Sequence, residues 1–217
     1  MTKVGVVLSG CGVYDGAEIH ESVITMLALA KAGAEYQCLA PDKEQMHVIN
    51  HVTGQPAEGE SRNVLVEAAR IARGDIIPLH EANANDLDAL ILPGGFGAAK
   101  NLSNYATAGA GMEVDQDLVT LVRTVREQNK PVGFVCIAPV IAAKLIPDAS
   151  ITIGCDEATA SDIQTMGGTH ISKEVNEVVV DEANNIVSTP AYMLGPGIAD
   201  VANGIEALVD AVLQRAK

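Results

Sequence analysis

The sequence predicts an α/β fold: an open, mostly parallel sheet with helices on both faces. Short apolar runs alternate with helix-patterned segments from end to end. The 217 residues are 48% hydrophobic but only 3% aromatic, with no Trp. Such a core is made of Val, Ile, Leu and Ala, which suits parallel strands buried on both sides. No repeat, low-complexity tract or linker interrupts the pattern, so residues 1–217 are expected to form a single domain.

VGVVLSG (4–10) reads as a buried strand closed by glycine. Residues 19–32 follow with helical spacing through Ile19, Val23, Leu27 and Ala30, and Gly33 stops them. YQCLAP (36–41) is a second strand. The polar stretch 42–62 is irregular and reads as an excursion from the sheet. Ser61 is the expected N-cap of a helix from Asn63 to Arg73, stopped by Gly74. IIPL is a short strand, and DALILPGG (88–95) is a strand ending in paired glycines. Val114 to Gln128 is a helix and PVGFVC a central strand. ITIG (151–154) is a short strand. Residues 177–189 form a hairpin turning at Asn184-Asn185. The last helix spans roughly 196–216, and Gly204 interrupts it without ending it.

Charge and cysteine usage narrow the function classes. A formal net charge of −14 disfavours nucleic acid and anionic membranes as partners. Cys11, Cys38, Cys136 and Cys155 share no metal-like spacing, and they read as reduced cytosolic thiols. With a strand from residue 3 there is no room for a targeting peptide, and no apolar run reaches the roughly 20 residues of a membrane span. A cytoplasmic location is expected.

Ligands of such sheets bind at the carboxyl ends of the strands. Three strand ends carry unusual residues: SGCGVYDGAEIHE, PGGFGAAKN and CIAP. Cys136 stands at a strand-to-helix turn, where helix amides would favour its thiolate. A plain buried cysteine is an equally good reading of that stretch alone. The glycines of LPGGFG let backbone amides approach a ligand, and one of them with the Ile137 amide would make an oxyanion site. Asp15 reads as a helix N-cap. Glu21 lies one turn deeper, where burial would raise its pKa and let it exchange protons with Cys136.

Other signals are weaker. Gly10, Gly12 and Gly16 suggest a dinucleotide loop, but Asp15 and Glu18 would oppose a pyrophosphate. His47 and His51 are four apart without a third ligand, so no metal site is expected. His170 is the only histidine after Cys136, and no spacing supports a Cys-His pair.

The motifs VVLSGCGVYDGAEIHE, APDK, INHVTG, RNVLVEAARIARG, LPGGFGAAKNLS, GFVCIAP and TPAYMLG run nearly end to end. Together they resemble the ElbB group of glyoxalase-like proteins. That group lies in the PfpI branch of the class I glutamine amidotransferase-like superfamily. The resemblance implies a flavodoxin-like three-layer α/β/α sandwich with a nucleophile elbow at Cys136. It implies Glu21 as the carboxylate partner, and the Gly95 and Ile137 amides as the oxyanion and substrate-binding site. It further implies a homodimer and a cofactor-free, glutathione-independent glyoxalase of hydro-lyase type, acting on a small dicarbonyl. A deglycase activity and a link to isoprenoid production come with it, and no residue here explains the latter.

Two features depart from the wider superfamily. Ile137 replaces the histidine that often follows the nucleophile, and THISKE lacks the late His-x-Glu pair, which argues against glutamine hydrolysis. A carbonyl or redox sensor with a reactive Cys136 and little turnover is the alternative.

Overall fold

The structure, a computed structural model, describes residues 1–216. Seven strands form the central sheet: β1 (Lys3–Val7), β2 (Glu35–Ala40), β3 (Ile76–Pro78), β4 (Ala89–Leu92), β5 (Val132–Val135), β6 (Val179–Asp181) and β7 (Ile186–Thr189). Their spatial order is β6-β7-β5-β4-β1-β2-β3. Every neighbouring pair is parallel except the β6–β7 hairpin. From β1 the chain moves outward to β2 and β3, then returns to β4 on the other side of β1. The resulting crevice, outside the carboxyl ends of β1 and β4, is where doubly wound sheets bind ligands.

Among the described residues eight α-helices accompany the sheet: α1 (Ile19–Lys31), α2 (Val64–Ile71), α3 (Phe96–Lys100), α4 (Tyr105–Ala108), α5 (Gln116–Glu127), α6 (Pro139–Leu145), α7 (Glu157–Thr165) and α8 (Ile198–Arg215). Two apolar cores lie on either side of the sheet. One joins Met26, Leu29, Val64, Ala68, Ile205 and Leu208 of α1, α2 and α8 to Val4, Val6 and Ile91. The other joins Leu118, Val122, Ile141 and Ile163 of α5, α6 and α7 to Leu90, Leu92 and Phe134. This is the expected three-layer sandwich.

Helix α1 corrects one expectation. Its apolar spacing predicts a core face through Ile19, Val23 and Leu27, yet these are 43%, 46% and 50% exposed. The buried face carries Glu21, Ser22, Thr25, Met26, Ala28 and Leu29. Polar residues are tolerated there because their hydroxyls are bonded inside the helix. Ser22 Oγ donates to Glu18 O and Thr25 Oγ1 to Glu21 O, both at 2.7 Å. The face that packs carries Met26, Ala28 and Leu29 together with Glu21, and the Ile19, Val23 and Leu27 stripe lies outside it.

Smaller corrections concern caps and loops. Asn63, not Ser61, caps α2, accepting from Val66 N at 3.0 Å. Glu18, not Asp15, caps α1. Asp15 instead accepts from Ile49 N at 2.7 Å and ties the 42–62 excursion to the β1 loop. That excursion holds a two-stranded ribbon, Ile49–Asn50 with Gln55–Pro56. The strand expected at 151–154 is Ser150–Ile151, paired with Thr169–His170 outside the central sheet. Helices α3, α4 and α7 were not expected. The first two have only five and four residues, too short for a periodic signal.

Gly204 continues α8 as expected, and the structure gives the reason for glycine. A Cβ there would overlap Val175 O and lie 2.9 Å from Thr189 Oγ1. Ala would gain up to about 1 kcal/mol in helix propensity. Overpacking against backbone costs about 1–3 kcal/mol and wins. Gly204→Ala is therefore expected to lower the urea midpoint at unchanged slope. An equal or raised midpoint would show that α8 can shift freely.

Candidate active site

The three strand-end loops predicted to converge do so at the crevice beside β1, β4 and β5. Cys136 follows β5 directly and has φ +62°, a sparsely populated conformation for a residue with a side chain. Its amide donates to Thr189 O at 2.9 Å, which anchors the turn to β7. Phe134, the large residue two positions earlier, fits because it points into the α5–α6 core, while Cys136 belongs to the other core. This is a strained strand-to-helix turn, the geometry in which a nucleophile elbow presents its side chain.

Glu21 is completely buried in the first turn of α1. Its Oε2 accepts from Gly94 N at 2.9 Å and its Oε1 from Tyr192 N at 3.2 Å. It also faces the Cys136 thiol, close enough for each group to perturb the other's ionisation. Gly94 is required here by close approach. A Cβ on it would overlap Cys136 Cβ and lie 2.6 Å from Glu21 Oε2. Gly95 follows with φ +91°, which turns its amide toward the sulfur. The Gly95 and Ile137 amides lie beside Cys136 Sγ and favour its charged form. The structure thus brings Cys136, Glu21, Gly95 and Ile137 together.

The loops are also tied to one another. Glu18 N donates to Gly94 O at 3.0 Å, and Glu18 Oε2 accepts from Glu21 N at 2.7 Å. Phe96 N and Gly97 N donate to Val13 O and Gly16 O. Asn101 Nδ2 donates to both Ser9 O and Asp15 O at 2.8 Å. The site therefore sits on a cross-braced frame.

Electrostatics overturn one expectation. Helix amides were expected to lower the thiol pKa, but α6 starts at Pro139, which has no N–H. Ala138 N and Val140 N are bonded to Val135 O and Ile137 O. Burial, then the charge of Glu21, push the Cys136 thiol well above its ordinary value. The Glu21 carboxyl is itself pushed up to about 7, first by burial and then by Glu18. Two groups in one dry pocket cannot both be ionised cheaply, so they titrate as a pair that shares a proton.

The other sequence signals resolve as structure. The Gly12 amide donates to Ala17 O and the Gly16 amide to Gly12 O, so this loop spends its amides on itself. That is not a pyrophosphate cradle. His51 Nε2 accepts from Tyr14 N at 3.2 Å, while Nδ1 faces Ile49 O at 3.0 Å, a loop-bracing role. His170 Nε2 accepts from Ile153 N at 3.4 Å and does not line the Cys136 cavity. Cys38 is packed on Met26 Sδ at 3.6 Å, and burial pushes its thiol up to about 12.

Beside Cys136 opens a cavity of about 390 Å³. Its walls include Val13, Phe96, Tyr105, Tyr192 and Met193, none of which the sequence reading singled out. TPAYMLG contributes the Tyr192 amide to Glu21, a backbone contact with no residue-type signature.

The DJ-1/PfpI family pattern matches residues 11–191. A Homo sapiens protein, glutamine amidotransferase-like class 1 domain-containing protein 3, mitochondrial, is 47% identical over 98% of this chain and 82% of its own. The mitochondrial ES1 protein of Danio rerio is 34% identical over 88% of this chain and 77% of its own. An isoprenoid biosynthesis protein with an amidotransferase-like domain from Ehrlichia chaffeensis superposes with a TM-score of 0.90. It is 35% identical and covers 98% of this chain and 99% of its own. The chain belongs to the DJ-1/PfpI family.

These relatives correct the expected cytoplasmic location, since the curated ones at 47%, 45% and 34% identity are mitochondrial proteins. Free thiols signal a reducing environment, which is not particular to the cytosol.

The raised Glu21 pKa makes a stability prediction. An acid at about 7 in the folded chain, against an ordinary 4.5, binds its proton more tightly when folded. Stability is then complete below pH 4.5 and is lost as pH rises toward 7, by on the order of 3 kcal/mol. Between pH 5 and 8 the wild type should lose stability relative to Glu21→Gln, measured by urea denaturation at each pH. Parallel stability curves would contradict a buried acid at this position.

Proposed function

We propose that the protein is an ElbB-type, cofactor-independent glyoxalase that converts glyoxal or methylglyoxal to the 2-hydroxy acid. The observation that carries the reading is the buried Cys136–Glu21 pair, with two backbone amides aimed at the sulfur. Cys136 is the nucleophile and Glu21 the proton carrier, with the Gly95 and Ile137 amides at the oxyanion. The sulfur adds to the aldehyde carbon, forming a C–S bond while the thiol proton passes to Glu21. The developing alkoxide is stabilised by the amides and takes up a proton as the hemithioacetal. Glu21 then removes the proton from that carbon, and the electron pair moves through an enediol to the neighbouring carbonyl. Returning the proton to the second carbon gives a thioester. Water breaks the C–S bond, releasing the 2-hydroxy acid and restoring the thiol. One carbon is oxidised and the other reduced, so no external oxidant or reductant is needed.

A base beside the nucleophile in space removes the need for one beside it in sequence. Glu21 at about 7 is matched to proton transfer near neutral pH, where Ile137 can offer nothing. The same adduct chemistry would release dicarbonyls from reversible protein adducts, a deglycase activity. Similarity to the isoprenoid biosynthesis protein supports a shared setting, although no residue of the site addresses isoprenoid chemistry. A peroxide sensor needs an exposed, acidic thiol, whereas Cys136 is buried and its thiol pushed up.

Glycolate formation from glyoxal tests the assignment. Cys136→Ala should lose about a thousandfold or more of activity, and Glu21→Gln about a hundredfold or more. Undiminished turnover in Cys136→Ala would end the reading.

The reading includes a homodimer, for which the exposed Ile19, Val23 and Leu27 ridge of α1 offers a contact. Val23→Glu should then shift the sedimenting species from dimer to monomer. A dimer insensitive to Val23→Glu would exclude this ridge, and a wild-type monomer would exclude the dimer.

A further inference from the structure

Glyoxal has four heavy atoms, and a cavity of about 390 Å³ lies in the range that encloses a whole drug-sized ligand. Substrate size and site size therefore disagree. The bonding of the cavity's walls suggests what fills the remainder. Glu18 is spent on capping α1 and Asp156 on capping α7, where it accepts from Thr159 N at 2.8 Å. Tyr105 Oη donates to Asp162 Oδ2 at 2.8 Å, and Tyr192 Oη is 2.7 Å from His20 Nδ1. The carboxylates and the tyrosine hydroxyls around the cavity are thus already partnered, and the Thr159 hydroxyl sits beside Asp156 and Tyr105. What remains for a ligand is the sulfur with its two amides at one end, and apolar wall elsewhere, from Val13, Phe96, Ala99, Ile137 and Met193.

Charge narrows the ligand further. Among the described residues no Lys or Arg lines the cavity, and the two charged side chains there, Glu18 and Asp156, are both acidic. Lys100 lies behind Phe96, 5.2 Å from the ring centroid, with its ammonium donating to Tyr14 O at 2.8 Å. A carboxylate or phosphate on the substrate would find no partner and would meet like charge.

We propose that this site takes a neutral carbonyl compound with a single reactive polar end and an apolar body about the size of a phenyl ring. Within the glyoxalase reading, on which this rests, the substrate is a 2-oxoaldehyde R–CO–CHO with an uncharged, apolar R. The aldehyde carbon receives the sulfur and becomes the carboxyl carbon, the ketone carbon becomes the carbinol, and R lies against the apolar wall of the cavity. Apolar area removed from water drives the preference.

The test compares kcat/KM for phenylglyoxal, glyoxal and 4-carboxyphenylglyoxal. Phenylglyoxal should exceed glyoxal tenfold or more, and the carboxylate should remove most of that gain. Ala106→Phe, which fills the cavity from α4, should lower the phenylglyoxal-to-glyoxal ratio at least tenfold. Glyoxal performing as well as phenylglyoxal, or the carboxylated analogue matching it, would overturn the proposal. A second measurement separates its failure from failure of the catalytic reading. Binding of acetophenone and of benzoate to Cys136→Ala is followed by ligand-observed NMR. Acetophenone binding that Ala106→Phe weakens supports the cavity assignment even if no aldehyde is turned over. Absence of acetophenone binding, or equal binding of benzoate, refutes it.

Discussion

The close pairing of the Glu21 carboxyl with the Cys136 thiol, both buried, is the constraint around which the crevice is arranged. A buried carboxylate is expensive unless its oxygens are satisfied. Gly94 N and Tyr192 N supply the partners, which fixes both the β4 loop and the TPAYMLG turn. The thiol can reach Glu21 only because Cys136 accepts a positive φ and Gly94 has no side chain. Helix α1 points Glu21 inward together with Met26, Ala28 and Leu29, and its Ile19, Val23 and Leu27 ridge lies outward to solvent.

That arrangement changes how the cysteine is activated. An elbow thiolate held by a helix terminus would be reactive before substrate arrives. Here burial and the Glu21 charge push the thiol pKa up, and in the proposed reaction the proton would pass to Glu21 as the carbon–sulfur bond forms. Two amides are aimed at the sulfur, and the dry surroundings strengthen them. A dry thiol with its own base is suited to addition to carbonyls and poorly suited to scavenging oxidants.

The sequence carried the fold well because its signals are periodic and local. Buried strands, their closing glycines and the β-α alternation were each legible, and so was the convergence of three strand ends. Cys136, Glu21 and the Ile137 amide were legible from the residues and Gly95 from the resemblance; Glu21 stood out as one turn below an Asp15 cap, whereas with Glu18 as the cap it lies in the first turn. What escaped depends on contacts distant in sequence. The identity of the α1 cap, the Tyr192 amide and the cavity walls from α3 and α4 follow from how loops cross. The direction of the thiol's shift also escaped, because burial cannot be seen in a heptapeptide. The orientation of α1 was misread because its most apolar face is not the face that packs.

The shared proton is tested most directly by the pH dependence of Cys136 alkylation. The rate is followed by mass spectrometry of its peptide, in wild type and in Glu21→Gln. The account predicts a wild-type thiol titrating above its ordinary value, and a lower value once the carboxylate charge is removed. A wild-type thiol already ionised below neutral pH, or one raised by Glu21→Gln, would contradict it.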